Sequence, residues 1–198
     1  ASKLEAEIIS CDSMQVYKEM AILSCQPSEK IIKKIPHHLV GYISAENEYN
    51  VCIYYKDAIK KIEEIIKNKK IPLFVGGCGL YFKVMLDGIF LENTQDKKIR
   101  EALYRKTQES GIEFLYNRLK VVDPLSASKI HPNDLKRIIR ALEVYEKTGI
   151  PISLWQKNTK GILYQYDVFI FGLIRNRKEI YKRIDKRIGV IRTIETSK

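Results

Sequence analysis

Residues 50–68, NVCIYYKDAIKKIEEIIKN, and the run Pro72-Leu73-Phe74-Val75-Gly76-Gly77 that follows them decide the fold class. In the first stretch Val51, Tyr54 or Tyr55, Ala58, Ile62, Ile65 and Ile66 recur at helical spacing, with lysines and glutamates on the opposite face. The second is a short, continuous apolar run of strand type that stops at a glycine pair. A helix feeding a buried strand that ends in a tight turn is half of an α/β unit with a parallel sheet.

Working outward, Glu7 to Ser10 reads as another strand. It runs into Cys11-Asp12-Ser13-Met14-Gln15-Val16-Tyr17, where an apolar stretch gives way to a carboxylate and hydrogen-bonding side chains. Ligands of open parallel sheets sit beyond the carboxyl ends of the strands. Asp12 therefore either caps the next turn or acts on a bound amine or hydroxyl. A third strand is expected over Asp167 to Leu173 (DVFIFGL), followed by a basic helix over Arg177 to Ile188. Between the second and third strands only helical patterns appear, over Asp96 to Gln108, Ile112 to Val122, Pro124 to Ile130 and Asn133 to Thr148. Gly111, Pro124, Pro132 and Gly149 break them. This gives an α/β core, residues 1–92 and 162–198, carrying a helical insertion, residues 93–161.

The 198 residues suffice for one substantial core and a small appended domain. No apolar run reaches the roughly 18 residues of a membrane span, and no signal peptide opens the chain, so a cytoplasmic protein without a membrane partner is expected. Lysine and arginine number 35 against 24 acidic residues, a net charge of +11. Such a surplus suits a polyanion, RNA above all, although lysine-rich composition alone would produce it too. Cys11, Cys25, Cys52 and Cys78 show no CxxC spacing, which argues against zinc or a disulfide framework. The adjacent His37 and His38 point in different directions and make a poor metal pair.

DSMQVY at 12–17 resembles the signature of the tRNA dimethylallyltransferases. The resemblance continues in order through Pro36-His37-His38-Leu39, GGCGLYFKVML (76–86), HPNDLKRIIRALEVYEKTGIPIS (131–153) and RKEIYKRIDKRI (177–188). It implies a P-loop NTPase-like parallel sheet flanked by helices, and transfer of a dimethylallyl group from dimethylallyl diphosphate to the exocyclic amine of the adenosine beside the anticodon. It also implies a monomer that engages the tRNA anticodon stem-loop, with magnesium accompanying the diphosphate; no dedicated metal ligands are apparent. That family has a phosphate loop upstream of the part matched here and continues past RIDKRI, so both pieces are expected to belong to the parent protein.

By the same resemblance Asp12 is the general base, and Ser13, Met14 and Gln15 line the base pocket. Gly76, Gly77 and Cys78 meet the diphosphate, Arg183 lies near it, and Arg175 and Arg177 are looser candidates. Lys136, Arg137, Ile138, Ile139 and Arg140 form the segment laid on tRNA, with Arg100 a further contact. Lys136, Arg137 and Arg140 share one helix face, while Ile138 and Ile139 turn inward; a solvated basic face is the simpler alternative. Two positions depart from the family: Cys78 stands where threonine is usual, and Gln26 where lysine is usual. An RNA-binding homologue with impaired catalysis, an adenylate isopentenyltransferase acting on a free nucleotide and a small-molecule P-loop kinase are the competing readings.

Overall fold

The computed structural model describes residues 1–90 and 94–195, with side chains to residue 189. In chain order its elements are β1 (Ala6–Cys11), α1 (Glu29–Lys34), β2 (His37–His38), α2 (Val51–Lys67), β3 (Ile71–Gly76), α3 (Gly79–Asp87), α4 (Lys97–Val122), α5 (Pro124–Ala127), α6 (Leu135–Thr148), α7 (Ile152–Lys157) and α8 (Arg177–Glu195). They fall into two compact units, residues 1–86 with 162–198, and residues 87–161. The boundary expected at 92/93 falls outside the described residues.

The first unit is α/β. Its sheet is parallel, in the order β2-β1-β3, with Ile8 paired to both His37 and Leu73 and Cys11 paired to Gly76. The central strand is buried along nearly its whole length because α2 packs on it through Tyr54, Ala58, Ile62 and Ile65. Those positions form the stripe that the 3.6-residue period dictates. Asn50 fixes where α2 starts, its side-chain oxygen accepting from the N–H groups of Cys52 and Ile53 at 3.0 and 3.1 Å. Glu7, a buried acid in the same strand, is held by His38 at 2.6 Å and Lys70 at 2.7 Å. His37 instead meets the Ile35 carbonyl, so the two histidines do diverge.

The expected strand over Asp167 to Leu173 does not form. Residues 167–176 adopt no regular structure, and Phe169, Phe171, Leu173 and Ile174 are exposed, although Val168 packs on the core. A strand is made by its ladder. Among the described residues the sheet pairs only β2, β1 and β3, and apolar composition cannot substitute for a pairing partner.

The second unit is helical. α4 is two helices in line, interrupted at Gly111, whose φ of 79° and ψ of 165° lie outside helical geometry; the expected break is there. α6 begins at its cap Asp134 and ends at Gly149, which takes the left-handed conformation (φ 70°) that glycine tolerates best. Leu103, Leu115, Leu119, Ile138, Ile139 and Leu142 fill the core between α4 and α6. α7 follows Pro151 directly without a side-chain cap, and its six residues are too short to show a period in the sequence. Among the described residues no helix is long and apolar enough to cross a membrane.

Candidate active site

Three segments meet at the carboxyl edge of the central strand. β1 ends at Cys11, β3 ends at Gly76, and the backbone of Gly77 and Cys78 turns between β3 and α3. The Cys78 N–H donates to the Cys11 carbonyl at 2.9 Å, tying the glycine turn to the end of β1. Gly76 is required by this approach, since a β-carbon there would lie 2.3 Å from the Cys11 oxygen. Gly76→Ala is expected to cost about 2 kcal/mol through overpacking, checked by the thermal unfolding midpoint. At Gly77 and Gly79 a β-carbon would meet nothing within 4 Å, so the turn is open at these two positions, whereas the half-buried Cys78 between them packs on the core.

Asp12 is the first residue past β1. Its Oδ1 accepts from the N–H groups of Met14 at 2.8 Å and Gln15 at 3.3 Å, an Asx-type turn that sets the side chain's direction. Oδ2 has no partner among the described residues. One oxygen thus performs the capping role while the other stays available, so the two readings of Asp12 coexist in one side chain. Ser13 and Met14 are exposed beside it.

Gln15 is occupied. Its Oε1 accepts from Ser10 Oγ at 3.0 Å, and its Nε2 donates to the carbonyls of Ser24 and Cys25 at 3.2 Å each. This side chain braces the loop 21–26 against the strand end. Gln26 completes the brace, donating through Nε2 to the carbonyls of Gln15 at 2.9 Å and Tyr17 at 2.7 Å. An ammonium at position 26 could also bond those carbonyls, but the amide does so without charge.

Behind the turn lies a buried aromatic layer. Tyr54 and Tyr81 stack with centroids 3.7 Å apart and planes 12° from parallel, and the Tyr54 hydroxyl meets Cys11 Sγ at 2.8 Å. Burial pushes the Cys11 thiol up to about 12, and the Tyr54 phenol far above its ordinary range. Cys11 is therefore an un-ionised structural thiol and no nucleophile. Arg183 does not reach the glycine turn by any hydrogen bond or ion pair among the described residues; it sits on α8, 67% exposed, 4.0 Å from Glu179. One turn further along, Arg187 donates to the Leu23 carbonyl in the braced loop. Arg175 pairs with Glu179, and Arg177 donates to the Tyr181 hydroxyl at 2.7 Å.

In the helical unit the basic segment divides by burial. Ile138 and Ile139 are 0% and 2% exposed. As a correction to the expected tRNA-contacting set, their side chains build the core and are out of a ligand's reach. Arg140 is committed inside the protein: it donates to Glu143 Oε2 at 2.9 Å, the Thr94 carbonyl at 3.1 Å and Thr94 Oγ1 at 2.7 Å. Arg100 reaches the same Glu143 oxygen at 3.0 Å, and the Asp96 N–H meets Oε1 at 2.9 Å. Glu143 is fully buried. Burial opposes its ionisation, but the Asp96 N–H, Arg100 and Arg140 outweigh that and hold its carboxyl below the usual range. Arg137, 72% exposed, has only a surface pair with Asp134 at 3.3 Å, and Lys136 is exposed without a partner among the described residues. Sequence reading overlooked Glu143; the signal was an acid on the apolar face of α6, three residues after an arginine.

The profile of the IPP transferase family matches residues 15–191. The chain belongs to the IPP transferase family. Its sequence is 42% identical over 192 residues to a tRNA dimethylallyltransferase of Alkaliphilus oremlandii, covering 96% of this chain and 61% of that one. It is 44% identical over 187 residues to one of Thermotoga neapolitana, covering 94% and 60%. Among solved structures it is similar to the full-length tRNA isopentenylpyrophosphate transferase of Bacillus halodurans (TM-score 0.58, 31% identity, 96% of this chain and 58% of that one). It is also similar to a eukaryotic dimethylallyltransferase described as acting on tRNA (TM-score 0.78, 29% identity, 96% and 47%). The chain spans about three-fifths of the length of the curated relatives it matches.

The family assignment makes a divalent cation relevant. Among the described residues no three His, Cys, Asp or Glu side chains come together to hold one. One Asp12 oxygen is already taken by two backbone donors. A protein cage for magnesium does not fit these residues, and a diphosphate would have to bring the ion with it.

Proposed function

We propose that this IPP transferase family member moves a dimethylallyl group from dimethylallyl diphosphate to the exocyclic amine of the adenosine beside the anticodon of tRNA. The observation that carries the reading is Asp12, a carboxylate at the end of the central strand with one oxygen anchored and the other free. The names of the relatives support tRNA as substrate, and they do not favour a free-nucleotide enzyme or a non-catalytic RNA binder.

The chemistry asks for two things. An adenine amine is a poor nucleophile, its lone pair being delocalised into the ring, so a base must take its proton as the C–N bond forms. The free Asp12 oxygen accepts that proton. As the bond between the allylic carbon and oxygen breaks, the departing diphosphate gathers charge. Gly76, Gly77 and Cys78 lead into the amino terminus of α3, whose first N–H groups and helix dipole favour an anion, and Arg183 on α8 is the cation that the family resemblance assigns to it. The base has to leave the loop stack for its amine to be reached, and Ser13 and Met14 are the exposed side chains beside it. Lys136 and Arg137 are the exposed cations for phosphates, Arg137 exchanging its surface pair with Asp134 for one, whereas Arg100 and Arg140 act through Glu143 by holding the helices.

The test is an assay with labelled dimethylallyl diphosphate, magnesium and the full-length protein, offering tRNA and AMP in parallel. Label in tRNA alone is expected. Label in AMP alone, or in neither, overturns the proposal. Cys78→Thr is expected to raise turnover by up to about tenfold, since a hydroxyl donates more strongly than a thiol to a leaving oxygen. An unchanged rate would show that position 78 contributes only its backbone.

A further inference from the structure

The helical unit has an open cavity of about 510 Å³ where α4 passes the start of α6, lined by Tyr104, His131, Asn133, Asp134, Leu135 and Lys136. Its volume lies within the roughly 300–1,000 Å³ of ordinary ligand clefts. We infer that this cavity receives a second, unstacked nucleobase of the RNA, separate from the adenosine that is modified. The inference rests on the proposed tRNA substrate.

The lining matches what a single-stranded nucleotide offers. Tyr104 is 39% exposed and forms no hydrogen bond among the described residues, leaving its ring free as a stacking platform. Every base has a π face, and an aromatic ring is the common way to hold one. Leu135, packed on the core of the unit, supplies an apolar floor. The His131 Nδ1 accepts the Asn133 N–H at 3.2 Å, which leaves Nε2 as the protonated nitrogen of the neutral ring and a donor. The Asn133 side chain, without a partner among the described residues, adds an amide that both donates and accepts, able to read a base edge.

The charges fit as well. Asp134 would repel a phosphate, but Arg137 engages both of its oxygens, the backbone N–H at 3.2 Å and Nε at 3.3 Å. Lys136 remains as the uncompensated cation at the rim. An aromatic plate, a neutral donor–acceptor edge and one free ammonium are the parts a nucleotide needs. The lining is mostly apolar with a few polar groups at its edge, which suits the faces and the edge of a base, and a bare anion would ignore the ring.

Binding of an anticodon stem-loop RNA by the full-length protein decides the matter, using fluorescence anisotropy and RNAs in which each loop nucleotide in turn is abasic. Tyr104→Ala should weaken binding about 5- to 150-fold, the range for loss of one stacked base, and Tyr104→Phe should stay within about twofold of wild type. One abasic position other than the modified adenosine should cost wild type as much, and cost Tyr104→Ala nothing further. Equal affinities for wild type and a folded Tyr104→Ala, or losses that add at every position, overturn the cavity's role while prenyl transfer to tRNA persists. Lys136→Gln is the second probe and should flatten the salt dependence by about one phosphate; an unaltered slope also counts against it. A wild-type protein that neither binds nor modifies the RNA removes the function reading, and this inference with it.

Discussion

Asp12→Ala should reduce prenyl transfer by about 10²- to 10⁴-fold, the range of a lost general base, while tRNA affinity stays within about twofold of wild type. The geometry predicts how this variant differs from Asp12→Asn. In the native turn Oδ1 accepts two backbone N–H groups, at 2.8 and 3.3 Å, and Oδ2 is free. Asparagine can keep the turn through its carbonyl oxygen while presenting an amide that takes no proton. Alanine loses both functions. If Asp12 is the base, the two variants should be nearly equally inactive, and asparagine should match wild type in unfolding midpoint. Alanine should unfold earlier, by the about 1 kcal/mol of a lost cap. Should Asp12→Asn retain wild-type turnover, the carboxylate is a turn former only and the chemistry must be sought elsewhere.

The same residue shows how far the chain can be read unaided. β1, β3 and α2 were legible because each leaves a period or an unbroken apolar run, although the strand expected to be buried at 72–77 is an edge strand with Ile71 and Val75 half exposed. Asp12 was legible because a carboxylate that ends such a run is conspicuous. The segment 167–173 was misread for a physical reason: its composition meets every requirement of a strand except the partner, and a partner lies elsewhere in the sequence. Gln15 and Gln26 were read as substrate-facing and as a lost cation. In the structure they are the braces of one loop, a role that depends on carbonyl oxygens between nine and eleven residues away in the chain. The basic segment 136–140 was visible as charge, but charge does not disclose commitment. Arg137 and Arg140 are alike in the sequence; only the fold shows one exposed and the other bound to Thr94 and Glu143.

That distinction sets the largest stability effect expected here. Glu143→Ala should destabilise the helical unit by about 3 kcal/mol, as when one member of a buried ionic group is removed. The loss strands the Asp96 N–H and leaves two guanidinium groups facing each other across the vacated space. Both arginines are partly exposed and can turn toward water, which keeps the figure at the lower end of that range. Hydrogen exchange at the amides of α4 and α6 is the measurement of choice, because it reports this unit without the α/β unit. The pH dependence carries a definite sign. A carboxyl held below its unfolded value stabilises the fold fully above the unfolded pKa of about 4.3, and the contribution fades as pH falls through the folded value. The difference in protection between wild type and Glu143→Ala should accordingly be large at pH 7 and shrink in acid. Arg137→Ala is the control. It should leave exchange within about 0.5 kcal/mol of wild type, as exposed pairs do, yet lower the salt slope of RNA binding by about one phosphate. If Arg137→Ala opens the helices and Glu143→Ala does not, the exposed arginine is the structural one, and the division of labour along α6 has been assigned the wrong way round.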